Sequence, residues 1–197
     1  GFEGIWMRTG DPKYYFSILN KIDFFVKDDG SIKNYELDEY NLDHVNNGKL
    51  VLLLYRVTGK DKYKKAADLL RSQLKTHPRT NEGGFWHKKI YTNQMWLDGL
   101  YMAEPFYAEY AMLFNEEAAF DDIANQFIWM EKHARDPKTG LLYHGWDESK
   151  QMKWADPKTG LSKLFWARAM GWYADALVDA LDYFPADHPK RKSLIDI

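Results

Sequence analysis

Apolar residues recur along most of the chain at the three- and four-residue spacing of amphipathic helices. Turns containing Gly or Asn separate these helical patterns, because a residue in the left-handed conformation commonly ends a helix. The pattern predicts helices at about 12–28, 43–57, 60–76, 94–114, 117–134 and 164–183, with a further helix starting near residue 188. The sequence therefore predicts an all-α fold.

One of these turns recurs along the chain. The segment Arg8–Tyr14 resembles Val57–Tyr63, which places Thr58 49 residues after Thr9. Helical hairpins that repeat at roughly 50–70 residues are typical of stacked helix pairs, either a solenoid or a closed α/α toroid.

Both ends of the chain carry short helical patterns. Ile5–Met7 is typical of the last turns of a helix, and the pattern beginning near His188 stops at Ile197. We therefore interpret residues 1–197 as one partial helical domain, truncated at both ends. Unpaired apolar seams, among them Trp6 and Leu194, are expected to favour self-association.

Two long loops interrupt the helices, and long loops on a helical scaffold often carry function. The first is led by Gly83 and Gly84. The second is bounded by two copies of Asp-Pro-Lys-Thr-Gly, a turn sequence, so that Leu141–Trp146 and Met152–Trp154 are expected to form a short hairpin.

Composition excludes several classes of protein. The chain has no cysteine, a formal charge of −2 and no apolar run long enough to span a bilayer. These features predict no disulfide, no nucleic-acid partner and no membrane partner, and they are compatible with a reducing, cytoplasmic compartment.

Residues able to do chemistry cluster between the first loop and the helix expected to start near Asn93. Asp98 falls in an apolar column on that helix, beside Trp96 and close in sequence to His87. An Asp near a helix start can also simply complement the macrodipole. The neighbouring His and Trp favour a functional role.

The segments Gly83–Tyr91 (Gly-Gly-Phe-Trp-His-Lys-Lys-Ile-Tyr) and Gln94–Ala103 (Gln-Met-Trp-Leu-Asp-Gly-Leu-Tyr-Met-Ala) resemble the signature of the unsaturated rhamnogalacturonyl hydrolases, glycoside hydrolase family 105. The resemblance implies a toroid of six hairpins, (α/α)6, of which this chain would form about half. It also implies removal of a Δ4,5-unsaturated galacturonosyl residue from rhamnogalacturonan oligosaccharides by hydration of the C4=C5 double bond, with no cofactor and no metal.

The resemblance assigns roles to individual residues. Asp98 would act as acid and base, and Asp43, in the pattern Asn-Leu-Asp-x-x-Asn-x-Gly-Lys, would orient water or substrate. From its position alone, Asp43 could equally be an N-cap. The expected substrate-binding residues are His87, Trp96, His144, Trp166, Arg168 and Trp172.

Arg168 lies in an aromatic segment at the start of the last long helix. A guanidinium can bind a substrate carboxylate bidentately, although packing of the Arg on aromatic rings is an alternative. The segment departs from the commoner family pattern at Lys163, Ala169 and Met170. These residues belong to the expected pocket wall, so the departure affects which sugar next to the uronate the protein accepts. Four other carboxylates are interpreted as solvated or capping charges: Glu104, Glu109, Asp121 and Asp122.

Two other functions are consistent with this pattern. One is a related unsaturated glucuronyl hydrolase of the same toroid fold. The other is a non-catalytic helical-repeat module that binds sugar or protein. The clustered Trp, His and Asp residues favour an enzyme over such a module.

Overall fold

A computed structural model describes residues 1–197, which form nine α-helices, one 3-10 turn and two short strands. The elements are α1 Phe2–Thr9, α2 Pro12–Phe25, the 3-10 turn Leu37–Glu39, α3 Leu42–Val45, α4 Gly48–Thr58, α5 Asp61–Thr76, β1 Gln94–Trp96, α6 Leu97–Phe114, α7 Ala119–Ala134, β2 Gly145–Asp147, α8 Ala167–Leu181 and α9 Arg191–Asp196. The predicted all-α fold is confirmed.

Successive helices pack in pairs, α1 with α2, α4 with α5 and α6 with α7. Helix α6 also packs against α4 and α8, and α9 packs against α7 and α8. The core lies between these helices, and among its fully buried side chains are Leu52, Leu54, Phe106 and Phe127. None of the helices combines the length and apolar character needed to cross a membrane.

The repeated turns end their helices as expected. Gly10 and Gly59 follow α1 and α4 with φ angles of 67° and 66°, and Asn115 follows α6 with a φ of 56°. Asp11 caps α2, since its side chain accepts a hydrogen bond from the Lys13 backbone N–H with Pro12 at the first helical position. The recurrence thus reflects a shared way of starting and stopping helices.

The fourth long helix begins three residues later than predicted. Asn93 has a φ of 61° and does not cap a helix, and residues Gln94–Trp96 form β1 instead. Helix α6 starts at Leu97, whose N–H donates to the carbonyl of His144. Met95 therefore lies on a strand and not in the apolar column of Asp98.

The predicted hairpin within the second loop is wrong. Strand β2 pairs antiparallel with β1, so that Trp96 faces Gly145 and Gln94 faces Asp147. Segment 152–154 does not pair with it, because the chain after β2 wraps around the buried carboxylate of Asp147. That carboxylate accepts hydrogen bonds from the backbone N–H groups of residues 149, 151 and 152.

Two residues expected at exposed seams are packed. Leu194 is 2% exposed and belongs to the core. Trp6 is partly buried, with its ring centroid 5.0 Å from that of Tyr15. Exposed apolar side chains occur at other positions, among them Met7 and Phe24.

The interpretation of four carboxylates as solvated or capping charges is correct only for Asp121, which is exposed and pairs with Lys190. Asp122 forms an ion pair with Arg79, with 2.7 Å between Nη2 and Oδ2. Glu104 and Glu109 are 1% and 2% exposed, because both point from α6 into the packed interior.

His77 anchors the first long loop at the end of α5. One ring nitrogen, Nε2, lies 2.7 Å from the carbonyl oxygen of Trp86, and Nδ1 lies 3.4 Å from the side-chain amide of Gln73. The ring is 3% exposed, and burial lowers the pKa of His77 from 6.5 to about 4. The neutral imidazole is therefore the form that holds the loop.

We predict that acidification destabilises the fold through His77. Because its folded-state pKa is depressed, the unfolded chain binds the proton first. The stabilisation is present above pH 6.5 and is lost as the pH falls toward 4. The expected loss is roughly 2–3 kcal/mol in the free energy of unfolding, measured by urea titration between pH 7 and 4.5. His77→Gln should flatten this dependence and His44→Gln, whose side chain is 33% exposed, should not. If the free energy of unfolding of His77→Gln fell with pH as steeply as that of the wild type, His77 would not be the cause of the acid destabilisation.

Candidate active site

The Asp43 carboxylate is held by the first long loop. Asn41 is the N-cap of α3, since its side chain accepts a hydrogen bond from the Asp43 backbone N–H, so the capping alternative for Asp43 does not hold. Oδ1 of Asp43 lies 3.2 Å from Nε2 of His87, and Oδ2 lies 2.6 Å from Nζ of Lys88. A backbone hydrogen bond from Leu42 to the His87 carbonyl holds the two segments together.

Two opposing effects set the charge of Asp43. Partial burial raises its pKa, but hydrogen bonds from His87 and Lys88 lower it by more, so that the pKa lies well below the ordinary value. The carboxyl group is therefore ionised at neutral pH and accepts hydrogen bonds only.

Asp98 occupies a different environment in the first turn of α6, a position that also complements the helix dipole. Its side chain is 14% exposed, and Oδ1 lies 3.8 Å from Nη2 of Arg168. The other oxygen, Oδ2, is buried without a hydrogen-bond partner from the protein. Asp98 thus has one oxygen near a cation and one oxygen without a hydrogen-bond partner from the protein.

The side-by-side packing of α6 and α8 creates two matched pairs of side chains. Asp98 faces Arg168 at the start of the two helices. One turn further along, the rings of Tyr101 and Trp172 are 4.3 Å apart. The Arg168 guanidinium lies 3.9 Å from the centre of the Trp166 ring and is 59% exposed, so it remains accessible to a ligand.

Trp96 is the centre of an aromatic wall. Its ring is nearly parallel to those of His87 and Tyr91, at centroid distances of 5.4 and 5.3 Å. The rings of His144 and Trp154 approach it nearly at right angles, both at 6.2 Å. The pairing of β1 with β2 holds this wall, because it fixes Trp96 opposite Gly145.

A cavity of about 200 Å³ opens beside this wall. It is lined by Trp96, His144, Gly145, Trp154, Ser162, Lys163 and Leu164. Nδ1 of His144 lies 3.1 Å from both the Leu164 carbonyl oxygen and the Ser162 hydroxyl. Flat apolar faces with a few polar groups suit a pyranose ring, whose C–H faces stack on aromatic side chains.

The predicted residues therefore fall into two clusters. Asp43, His87 and Trp96 lie in contact on one side, and Asp98, Arg168 and Trp166 on the other. The clusters meet at Gly99, where a β-carbon would lie 2.9 Å from Nδ1 of His87. The absence of a side chain at this position lets the start of α6 pack closely against the His87 ring. Trp172 lies beside the clusters against Tyr101.

Three residues of the site were not predicted from the sequence. Lys88 contacts Asp43, Tyr91 stacks on Trp96, and Trp154 lines the cavity. Lys88 and Tyr91 belong to the same motif as His87, and this membership was the signal in the sequence that could have identified them as site residues. Nothing in the sequence pattern related Trp154 to Trp96, because their contact depends on the unpredicted pairing of β1 with β2.

Comparison with known proteins identifies the family. The family model for Glycosyl Hydrolase Family 88 matches residues 1–197, and the chain belongs to this family. It is 33% identical over 159 residues to the unsaturated rhamnogalacturonyl hydrolase YesR of Bacillus subtilis, a match that covers 78% of this chain and 44% of YesR.

Solved structures confirm the fold. A glycoside hydrolase from family 105 of C. acetobutylicum ATCC 824 is 51% identical, with a TM-score of 0.97 over 99% of this chain and 54% of that one. A possible family 105 member from Salmonella enterica shares only the fold, with 21% identity and a TM-score of 0.82 over 99% of this chain and 50% of that one. The chain thus forms part of an (α/α)6 toroid and spans about half the length of these relatives.

We predict that Lys88→Met raises the pKa of Asp43, because the substitution removes one of the two hydrogen bonds that lower it. Carbon-13 NMR of labelled aspartate carboxyls in the full-length protein measures this pKa directly. The matched control is Lys89→Met, since Lys89 lies over the Tyr40 ring and does not contact Asp43. Equal titration of Asp43 in both variants would show that Lys88 does not control its charge.

Proposed function

We propose that this chain carries the active site of an unsaturated rhamnogalacturonyl hydrolase. The observation that carries the proposal is the pair of unlike carboxyls, Asp43 fixed as an anion and Asp98 beside a guanidinium, next to an aromatic wall. The similarity to YesR supports the same activity. The substrate would be a rhamnogalacturonan oligosaccharide that ends in a Δ4,5-unsaturated galacturonosyl residue.

The reaction would be hydration of the C4=C5 double bond. Asp98 delivers a proton to C4, and the attacking water gives a proton back to the Asp98 carboxylate as its oxygen adds at C5. The resulting hemiketal opens to a ketone at C5 and a hemiacetal at C1, which breaks and releases the partner sugar. Because the anomeric carbon is not attacked, the distance between the two carboxyls does not predict retention or inversion as in ordinary glycosidases. Asp98, whose Oδ2 accepts no hydrogen bond from the protein, is the carboxyl group suited to this proton transfer.

Asp43 would orient the water or the substrate. Its carboxylate is 39% exposed and ionised, so it can accept a hydrogen bond from water while His87 and Lys88 hold it in place. Fixing one group as an acceptor and leaving the other free to exchange a proton assigns different roles to chemically identical side chains.

Arg168 would bind the carboxylate of the unsaturated uronate. Its guanidinium carbon lies 3.9 Å from the centre of the Trp166 ring and its side chain is 59% exposed, so it can form two parallel hydrogen bonds with a carboxylate. The next sugar would occupy the cavity beside Trp96, with His144 contacting its hydroxyl groups.

Lys163 favours a second candidate within the same fold, an unsaturated glucuronyl hydrolase. This lysine lines the cavity assigned to the neighbouring sugar, where a cation suits an acidic or sulfated partner. Turnover of unsaturated disaccharides with neutral and with acidic partner sugars distinguishes the two candidates. A binding module without catalysis is disfavoured by the clustering of Asp98, Arg168 and the aromatic wall.

We predict that Arg168→Lys weakens substrate binding in the full-length protein by roughly 1–3 kcal/mol, because an ammonium group cannot reproduce the bidentate fork. Binding is measured by calorimetry with an unsaturated disaccharide and a slow variant such as Asp98→Asn as background. Arg8→Lys, at an exposed position, serves as the control. Unchanged affinity would remove Arg168 from the site.

We also predict that Asp98→Asn retains substrate binding but reduces turnover at least about 100-fold, because the amide keeps the shape and cannot supply the proton. Turnover is followed by the loss of ultraviolet absorbance of the C4=C5 bond conjugated to the carboxylate. In heavy-oxygen water the label should enter at C5. Near-normal turnover, or label at the anomeric carbon, would refute the mechanism.

A further inference from the structure

Three polar atoms close to the aromatic wall are buried and have no hydrogen-bond partner within the protein. They are Nδ1 of His87, Nε2 of Gln94 and Oε2 of Glu104. The three residues are 5%, 1% and 1% exposed. Because buried polar groups are nearly always paired, these atoms need a partner that the protein itself does not provide.

A small internal cavity of about 10 Å³ joins two of these residues. It is lined by Leu42, Phe85, His87, Met95, Trp96, Gly99, Leu100, Glu104 and Gln126. By the same measure, one water molecule needs roughly 10–15 Å³. Gly99 leaves space beside the buried Nδ1 of His87, since a β-carbon at residue 99 would lie 2.9 Å from that atom.

The other polar residue of the cavity is already engaged. Gln126 accepts a hydrogen bond from the Phe85 backbone N–H at 2.8 Å and donates to the Gly83 carbonyl and to Asp122. Its amide is therefore committed to holding the loop. His87 and Glu104 are the two side chains of the cavity whose free polar atoms a water molecule could join.

The environment of Glu104 favours the neutral form of its carboxyl group. Burial raises the pKa of Glu104 well above its ordinary value, and the nearby Asp122 carboxylate acts in the same direction, while Arg79 and Arg71 oppose it. Arg79 pairs with Asp122 and Arg71 pairs with Glu116 through Nε, and neither forms a hydrogen bond with Glu104. Glu104 therefore offers an O–H donor.

We propose that Glu104 is a positioning residue that acts on Asp43 through one buried water and His87. Glu104 donates its O–H to the water, and the water donates to Nδ1 of His87. The ring then carries its hydrogen on Nε2, which donates to Oδ1 of Asp43 over 3.2 Å. The relay fixes the tautomer of His87 that supports an ionised Asp43.

The direction of the hydrogen bonds matters for Asp43. If Nδ1 carried the hydrogen instead, the Nε2 lone pair would face Oδ1 and repel the carboxylate. Asp43 would then keep Lys88 as a donor and lose His87. Its pKa would rise, and less of the group would be ionised in acidic solution. The part of this inference that concerns turnover rests on the proposed function, whereas the tautomer does not.

The tautomer is tested by nitrogen-15 NMR of labelled histidine in the full-length protein. We expect the hydrogen of His87 on Nε2 in the wild type and in Glu104→Gln, whose amide still donates to the water. We expect Glu104→Leu to lose this preference. Glu109→Leu is the matched control, because Glu109 is an equally buried carboxyl of α6 that pairs with Arg56 and does not line this cavity.

Turnover supplies a second measurement. The acidic limb of the pH profile of kcat/KM should move to higher pH in Glu104→Leu, with an activity loss of about tenfold, and should not move in Glu104→Gln or Glu109→Leu. A hydrogen on Nδ1 of wild-type His87, or an unchanged His87 tautomer in Glu104→Leu, overturns the proposal. If Glu104→Leu does not fold, a hydrogen on Nδ1 of His87 in the wild-type or Glu104→Gln spectrum still overturns the proposal. Lack of turnover in the wild type would refute the proposed function and leave the spectroscopic result intact.

Discussion

The contact of His87 with Asp43 is the interaction on which the site depends. Asp43 lies at the start of α3 and His87 in a loop more than 40 residues later in the chain. The hydrogen bond between these two side chains, together with the Leu42 backbone hydrogen bond, brings the loop over the helix starts. Once His87 is in place, Trp96 stacks on one face of its ring and Gly99 packs against its edge. The position of Asp98 follows from this packing.

The carboxyl groups of Asp43 and Asp98 belong to the same residue type and differ in their local environment. Two donors hold Asp43 as an anion despite partial burial, whereas Asp98 has one distant guanidinium and one free oxygen. The buried Glu104 extends this contrast, because the interior stabilises its neutral form. The carboxyls of Asp43 on α3 and of Asp98 and Glu104 on α6 can therefore act as acceptor, proton carrier and donor, according to solvation and the nearest charges.

The helical repeats and the main candidate site residues could be proposed from the sequence because they depend on local information. Gly10, Gly59 and Asn115 end helices through their own backbone preferences. The motif around His87 and Asp98 is contiguous and identifies a family. The β1–β2 pairing could not be predicted in this way, since three-residue strands carry almost no periodic signal and their partners lie about 50 residues apart.

The sequence by itself thus determined an all-α scaffold, the family and a set of candidate site residues, because helix period, turn chemistry and a long motif are properties of neighbouring residues. Only the tertiary structure decided which groups act on one another. The pairing of Lys88 with Asp43, the contact of Trp154 with Trp96 and the burial of Glu104 arise where segments distant in the chain meet. Charge and burial at such meeting points depend on the whole packing, and no local pattern encodes them.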